Sequence, residues 1–366
     1  MCPVFTEDGL AFIDFALDPR RPSCARTGRV YVYGRPMLNS LSRLARRALS
    51  AEAPARAGRW FSRDEAIMGT AIHVELWSDE RAAANTAIDA VMREMHRIDA
   101  LMSPYKESSE LSRINREAAR RPVEVCTELF DLLARSIAFS ELSGGAFDIT
   151  YASAGHLYDY RRRIRPSEEQ LAAAREAIGY RHLQLDPVQR TVRFARDGVK
   201  IDLGGFAKGH AVDNGAAILA RHGVRHAAVA AGGDSRMLGD RCGRPWMVGV
   251  RDPRREGEVI ALLPLEDAAV STSGDYERYF DDGDERCHHL IDPRTGKSPR
   301  EVRSVTVIAP DGLTSEALSK TVFVLGVERG LRIVESIPEV DAVVVDAAGQ
   351  LHYSQGLLPG GQAPRN

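Results

Sequence analysis

Residues 202–213 read DLGGFAKGHAVD and set three glycines and one lysine between two carboxylates. Where such a stretch leads into a helix, backbone N–H groups and an ammonium converge on one point, which is the chemistry that holds phosphate. A strand-to-helix junction is expected here, with Lys208 and the free loop amides forming a place for a diphosphate. Residues 273–299 read SGDYERYFDDGDERCHHLIDPRTGKSP and place His288 and His289 just before an Asp-Pro turn. An imidazole titrates near neutral pH, so this pair offers a base next to the phosphate site. Together the two stretches imply nucleotide chemistry.

Those side chains need elements to hold them. A half-buried strand is expected at residues 67–77, then a helix over 79–102 carried by Ile88, Val91, Met95, Ile98 and Leu101 at three- and four-residue spacing. A second helix over 127–142 stops at Gly144-Gly145, and a loop bearing Phe147 and Asp148 follows. Pro166 and Ser167 open a short helix that ends near Gly179, ahead of a hairpin at 182–186 and 191–196. The pattern then predicts a helix at 207–221, a buried strand at 226–231 and several strands between 246 and 308. Helices at 315–325 and 328–336 and strands at 341–345 and 351–354 complete it. Helices and strands mix without strict alternation, which favours an α+β fold over a doubly wound sheet.

A chain of 366 residues is long enough for a large core, in two domains or one two-lobed unit. Its net charge of -2 argues against a dominant nucleic-acid or anionic-membrane surface. The five cysteines are scattered without a C-x-x-C pair, so no disulfide framework is expected. Cys287, His288 and His289 cannot chelate one ion together, because neighbours on an extended segment point to opposite faces. Residues 1–60 hold ten arginines against five acids, a local charge of +5 that leaves -7 for the remainder. They read as a basic extension before a main unit at 61–356 and a tail at 357–366, with Met37 an alternative start. Neither Arg-Arg pair, at 20–21 or 46–47, precedes an apolar stretch of signal length, and no apolar run is long enough to span a membrane. The expected compartment is the cytoplasm, or the periplasm if the start lies elsewhere.

Eight stretches in order resemble the FAD:protein FMN transferases, the ApbE family of flavin transferases. They are MGTAIHVEL at 68–76, SSELSRIN at 108–115, GGAFDIT at 144–150, DLGGFAKGHAVD at 202–213, AGGDSRMLG at 231–239, SGDYERYF at 273–280, HHLIDPRTG at 288–296 and SEALSKTVFVLG at 315–326. The resemblance implies an enzyme that binds FAD, cleaves its diphosphate and transfers FMN to a threonine or serine hydroxyl of a partner flavoprotein, releasing AMP with help from Mg²⁺. It implies a two-lobed α+β unit with the flavin site between the lobes. Carried over by position, the flavin contacts are Met68, Ala146, Phe147, Asp148, Asp202, Lys208 and Ile291. His289 matches the histidine of the family's H-x-I-D-P pattern and is the candidate base, with His288 structural and Asp292 part of the turn. Phe147 and Met68 suit the flank of a ring system, although Met68 reads equally well as core. Without the family context, Asp202 reads as a cap for the following helix.

One departure bears on mechanism. The resemblance implies metal ligation by a glycine-loop carbonyl, here Gly205, and by an Asp and a Thr four residues apart, where this chain has Glu316 and Lys320. Glutamate is still a hard oxygen donor for Mg²⁺, but a protonated lysine is not a ligand. As a bland reading, Glu316 and Lys320 form a favourable i, i+4 pair on an exposed helix face. Ser319 and Thr321 are poorer substitutes, each rotated about 100° around the helix. Three functions remain open: FMN transfer with Lys320 supplying part of the metal's charge, FAD binding without transfer, and FAD pyrophosphatase activity.

Overall fold

Strands buried over most of their length in the middle of the sheet, and alternating in burial along the Arg59–Ile67 edge, build an eight-stranded sheet in the order Leu351–Tyr353, Asp341–Asp346, Val302–Ala309, Ala269–Gly274, Asp234–Leu238, Ala227–Ala231, Thr70–Ser78, Arg59–Ile67. Every neighbouring pair is antiparallel, so the fold is α+β, as the mixed pattern predicts. The computed structural model describes residues 58–255 and 257–358, and of the first 57 only the backbone of strands Cys2–Phe5 and Leu10–Asp14. The remaining calls on the basic extension, and all but the first two residues of the tail at 357–366, lie outside the described residues.

The helices are α1 (Arg81–Met102), α2 (Glu110–Glu117), α3 (Thr127–Leu142), α4 (Glu168–Arg175), α5 (Ala207–Arg221), α6 (Gly312–Leu325) and α7 (Val327–Glu335). Strand side chains alternate between faces. Ala227, Val229 and Ala231 therefore join the core beneath α1 and α5, while Ala228 faces the other way. On that second face Trp246, Val248 and Leu263, from the paired strands Trp246–Arg251 and Val259–Leu265, pack against Met237, Val270 and Val343. The Leu10–Asp14 strand adds in parallel to Trp246–Arg251, so part of the stretch read as an appendage extends this layer. A three-stranded sheet of Val123–Glu124, Thr191–Phe194 and Leu183–Asp186 forms a smaller unit. Among the described residues no helix is long and apolar enough to cross a membrane.

Two expectations need correction, and one helix was not foreseen. Residues 67–77 are not one strand: the chain reverses at Met68-Gly69, with φ 57° and 68°, between two paired nine-residue strands. Positive φ at both central residues suits the right-handed twist of a tight hairpin. No strand leads into the glycine loop, since the last one ends at Phe194 and an irregular segment runs to α5. Helix α2 was not anticipated; Ser109 caps it by accepting from the Ser112 N–H at 3.0 Å.

Helices α5 and α6 cross at two glycines. A Cβ built on Gly209 would lie 2.2 Å from the Gly312 carbonyl oxygen, and one on Gly312 would lie 2.6 Å from that of Gly209. The close approach lets each helix cap the other. Asp213 of α5 accepts from the N–H groups of Gly312 and Leu313 at 2.7 and 3.0 Å, and Glu316 of α6 accepts from the Gly209 N–H at 2.7 Å. Initial amides that lack intrahelical partners are thereby satisfied.

Candidate active site

A cleft of about 940 Å³ opens where the glycine loop, the Met68-Gly69 turn, the segment around Phe147 and the segment after His288 meet. It is lined by Met68, Ala146, Phe147, Asp148, Asp202, Gly205, Lys208, His289, Ile291 and Lys320. Of the residues singled out from sequence as contacts or ligands, Glu316 alone does not line it.

The glycine loop is anchored by Asn115 of α2, whose side-chain amide donates to the Ile201 carbonyl at 2.9 Å and accepts from the Ile201 N–H at 2.8 Å. Asp202 then bends the loop by accepting from the Gly204 N–H at 2.6 Å; it does not cap α5, which begins at Ala207. Burial pushes the Asp202 carboxyl up, against opposing effects of the Gly204 hydrogen bond and of Arg278. Asp148 is buried and fully engaged, accepting from the Thr150 N–H, the Thr150 hydroxyl and the Tyr180 N–H at 2.6–2.9 Å. It fixes the backbone beside Phe147, whose ring packs against Phe139 and Phe206 at centroid distances of 6.0 and 5.5 Å.

Beneath the loop lies a buried charge quartet. The Lys208 ammonium pairs with Asp234 and Glu316. Burial works against its charge, but the two carboxylates hold its pKa above the ordinary lysine value. Lys208 is therefore spoken for, where sequence reasoning had it free for phosphate. Glu316 is 0% exposed and Lys320 sits 3.4 Å from its Oε1, so their pairing is no exposed helix pair. The other Glu316 oxygen accepts from Gly209. Asp234 also accepts from the Ser271 hydroxyl at 2.5 Å. The Lys320 stem runs along Gly205, where a Cβ would meet its Cε at 3.5 Å. Ser319 faces the hydroxyls of Ser271 and Ser273, and Thr321 donates back to the Ala317 carbonyl.

His288 is held away from the cleft. Its Nε2 lies 2.9 Å from the Pro299 carbonyl and its ring meets Phe323 edge-on at 5.4 Å. His289 faces the cleft, with Nδ1 buried and unpartnered. Burial, then the nearby charges of His288, Arg278, Lys320 and Lys208, pull its pKa down to about 3. Asp292 closes the turn, accepting from the Arg294 N–H at 2.9 Å.

The cleft also receives Asn115, Asp234, Glu277 and Arg278, which were not singled out although each lies in or beside a quoted motif. Arg278 is joined to His289 by a backbone hydrogen bond from the His289 N–H to its carbonyl at 3.0 Å, and its guanidinium lies near Gly69. Only tertiary pairing brings these groups to the site, so spacing along the chain gave no sign of them.

An antiparallel sheet backed by helices, with one large cleft at the end of a helix, defines an α+β protein built around that cleft. The model of the ApbE family matches residues 68–344, and the chain belongs to that family. It is 32% identical to the FAD:protein FMN transferase of Treponema pallidum, over 82% of this chain and 88% of that one. Among solved structures, the ApbE protein of Thermotoga maritima is similar at 35% identity and a TM-score of 0.75, covering 81% of this chain and 97% of that one. The flavin transferase ApbE of Vibrio cholerae is similar at 29% identity and a TM-score of 0.74, covering 82% and 98%.

Proposed function

We propose that the protein is an FAD:protein FMN transferase, with FAD as substrate and a flavoprotein as acceptor. The observation that carries this reading is the convergence of residues from separate stretches of a family-matching chain on one cleft of about 940 Å³, a volume suited to a dinucleotide. In the reaction an acceptor hydroxyl, from threonine or serine, attacks the FMN-side phosphorus; the bridging P–O bond breaks and its electron pair leaves with AMP. Phe147 and Met68 flank the flavin, and the glycine loop holds the diphosphate.

His289 takes the hydroxyl proton. An imidazole held near pKa 3 by burial and by surrounding cations is a weak base at rest. Diphosphate arriving among those cations removes their repulsion and raises the basicity of His289 when the substrate is in place.

The Mg²⁺ that the family implies would supply charge stabilisation at the diphosphate, with Gly205, Glu316 and the residue at 320 as its holders. The donor set does not fit. Both Glu316 oxygens are engaged by the protein's own ammonium and amide groups, and Lys320 brings a cation to the position of a ligand. Among the described residues no group of three or more His, Cys, Asp or Glu side chains converges to hold a metal ion.

The test is incubation with FAD and candidate flavoproteins, followed by denaturing electrophoresis and assay of released AMP. Flavin fluorescence that stays with the acceptor band, with AMP in equal amount, supports transfer. AMP without covalent flavin makes the protein a pyrophosphatase, and neither product makes it a flavin binder.

A further inference from the structure

Resting on the transferase reading, we propose that this chain stabilises the breaking diphosphate with its own fixed cations, Lys320 and Arg278, in place of a divalent metal ion. The first support is the state of the carboxylates. Lys208 and Lys320 face Asp234 and Glu316, two cations against two anions. Glu316 is further taken by the Gly209 N–H and Asp234 by Ser271, so neither presents an open pair of oxygens to an ion. A divalent cation placed here would meet two ammonium groups with no carboxylate left to offset them.

The second support is where Lys320 goes. It comes from buried α6, passes along Gly205 and reaches the cleft with its ammonium 3.4 Å from Glu316. It thus joins the very positions that match the family's ligands. Lys208 is the more completely paired lysine, in contact with both carboxylates, whereas Lys320 has the single longer contact and is better placed to donate to substrate.

Arg278 supplies the second charge. Its guanidinium lines the cleft near the Met68-Gly69 turn, and among the described residues no carboxylate forms an ion pair with it. Because the Arg278 carbonyl accepts from the His289 N–H, this cation and the base enter the cleft on adjoining backbone. Its planar fork suits two phosphate oxygens at once. As the acceptor oxygen bonds to the FMN-side phosphorus and the P–O bond to AMP breaks, Lys320 and Arg278 donate to the oxygens that gain charge. His289 takes the hydroxyl proton, and no further reactant is needed.

The experiment compares AMP release and covalent transfer by the wild-type protein in EDTA and in Mg²⁺, with calorimetric titration of Mg²⁺ alone. Rates within about twofold in the two conditions, and no Mg²⁺ binding heat, are expected. Lys320→Thr is expected to gain Mg²⁺ binding by calorimetry and to become chelator-sensitive. Arg278→Gln is expected to weaken binding of FAD but not of riboflavin. Wild-type activity that EDTA abolishes and Mg²⁺ restores overturns the inference and leaves the transferase reading standing. No cleavage of FAD in either condition brings down that reading and the inference with it. The wild-type comparison decides the matter even if Lys320→Thr does not fold.

Discussion

At the scale of single residues, Lys208 is the case in which structure changes the expected outcome of a mutation. A lysine free in a glycine loop would reveal itself by lost FAD affinity. One that neutralises Asp234 and Glu316 reveals itself first in stability, because its removal leaves buried carboxylates short of a partner. Lys208→Ala is therefore expected to cost about 3–5 kcal/mol in urea denaturation, and Lys208→Arg to restore only part of it. His289→Ala, by contrast, is expected to lower transfer by about 10²–10⁴-fold while FAD binding by fluorescence quenching stays within a few-fold. Met68 adopts a left-handed conformation that costs a non-glycine residue about 1–2 kcal/mol. Met68→Gly is expected to raise the urea midpoint yet weaken flavin binding; an unchanged flavin affinity would remove Met68 from the site.

At the scale of elements, the Gly209–Gly312 crossing holds the site together. Gly209→Ala drives a methyl into a backbone carbonyl and is expected to cost about 1–3 kcal/mol or more in urea denaturation. Gly205→Ala, with no atom nearer than 3.5 Å and φ outside the left-handed region, is expected to leave stability nearly unchanged and to alter activity through Lys320. Equal losses at the two positions would mean that the crossing is slack. Every helix named above except α2 was legible from sequence, because helical signals are local. The 127–142 and 207–221 patterns match α3 and α5, and Ser167 forms a full capping box with Gln170 at the start of α4. The Met68-Gly69 turn was not legible, since it lacks the Asn-Gly or Asp-Gly pair that usually marks such a hairpin.

At the scale of the whole molecule, the class of fold could be read from the mixture of elements, but the sheet order could not. Strands that pair in space lie far apart in sequence, as Thr70–Ser78 and Ala227–Ala231 do. The same distance hid the charge quartet, for nothing along the chain links Lys208 to Asp234 and Glu316. Motif order identified which residues reach the cleft, and spacing alone could not say which of them are already paired. Buried histidines make a global prediction. His288 and His289 are held near pKa 4 and 3, against an ordinary 6.5, so between these values the folded chain binds fewer protons than the unfolded one. Stability from this source is fully present above pH 6.5 and is lost as pH falls towards 3. Melting temperature is expected to drop over that interval, less steeply in a His288→Gln variant that folds; identical slopes would assign the acid sensitivity to other groups.

The mutual capping of α5 and α6 bears on the order in which the protein is made. The Gly209 N–H and the Gly312 N–H each find their acceptor about a hundred positions away along the chain, at Glu316 and Asp213. A nascent chain that has emerged only as far as the glycine loop carries neither the carboxylate that secures the start of its helix nor the lysine that lies along Gly205. Contacts so distant in sequence form late in folding, once the entropy of closing the long intervening loop has been overcome. The start of α5, and the side of the cleft it forms, are thus completed only once α6 has docked against it.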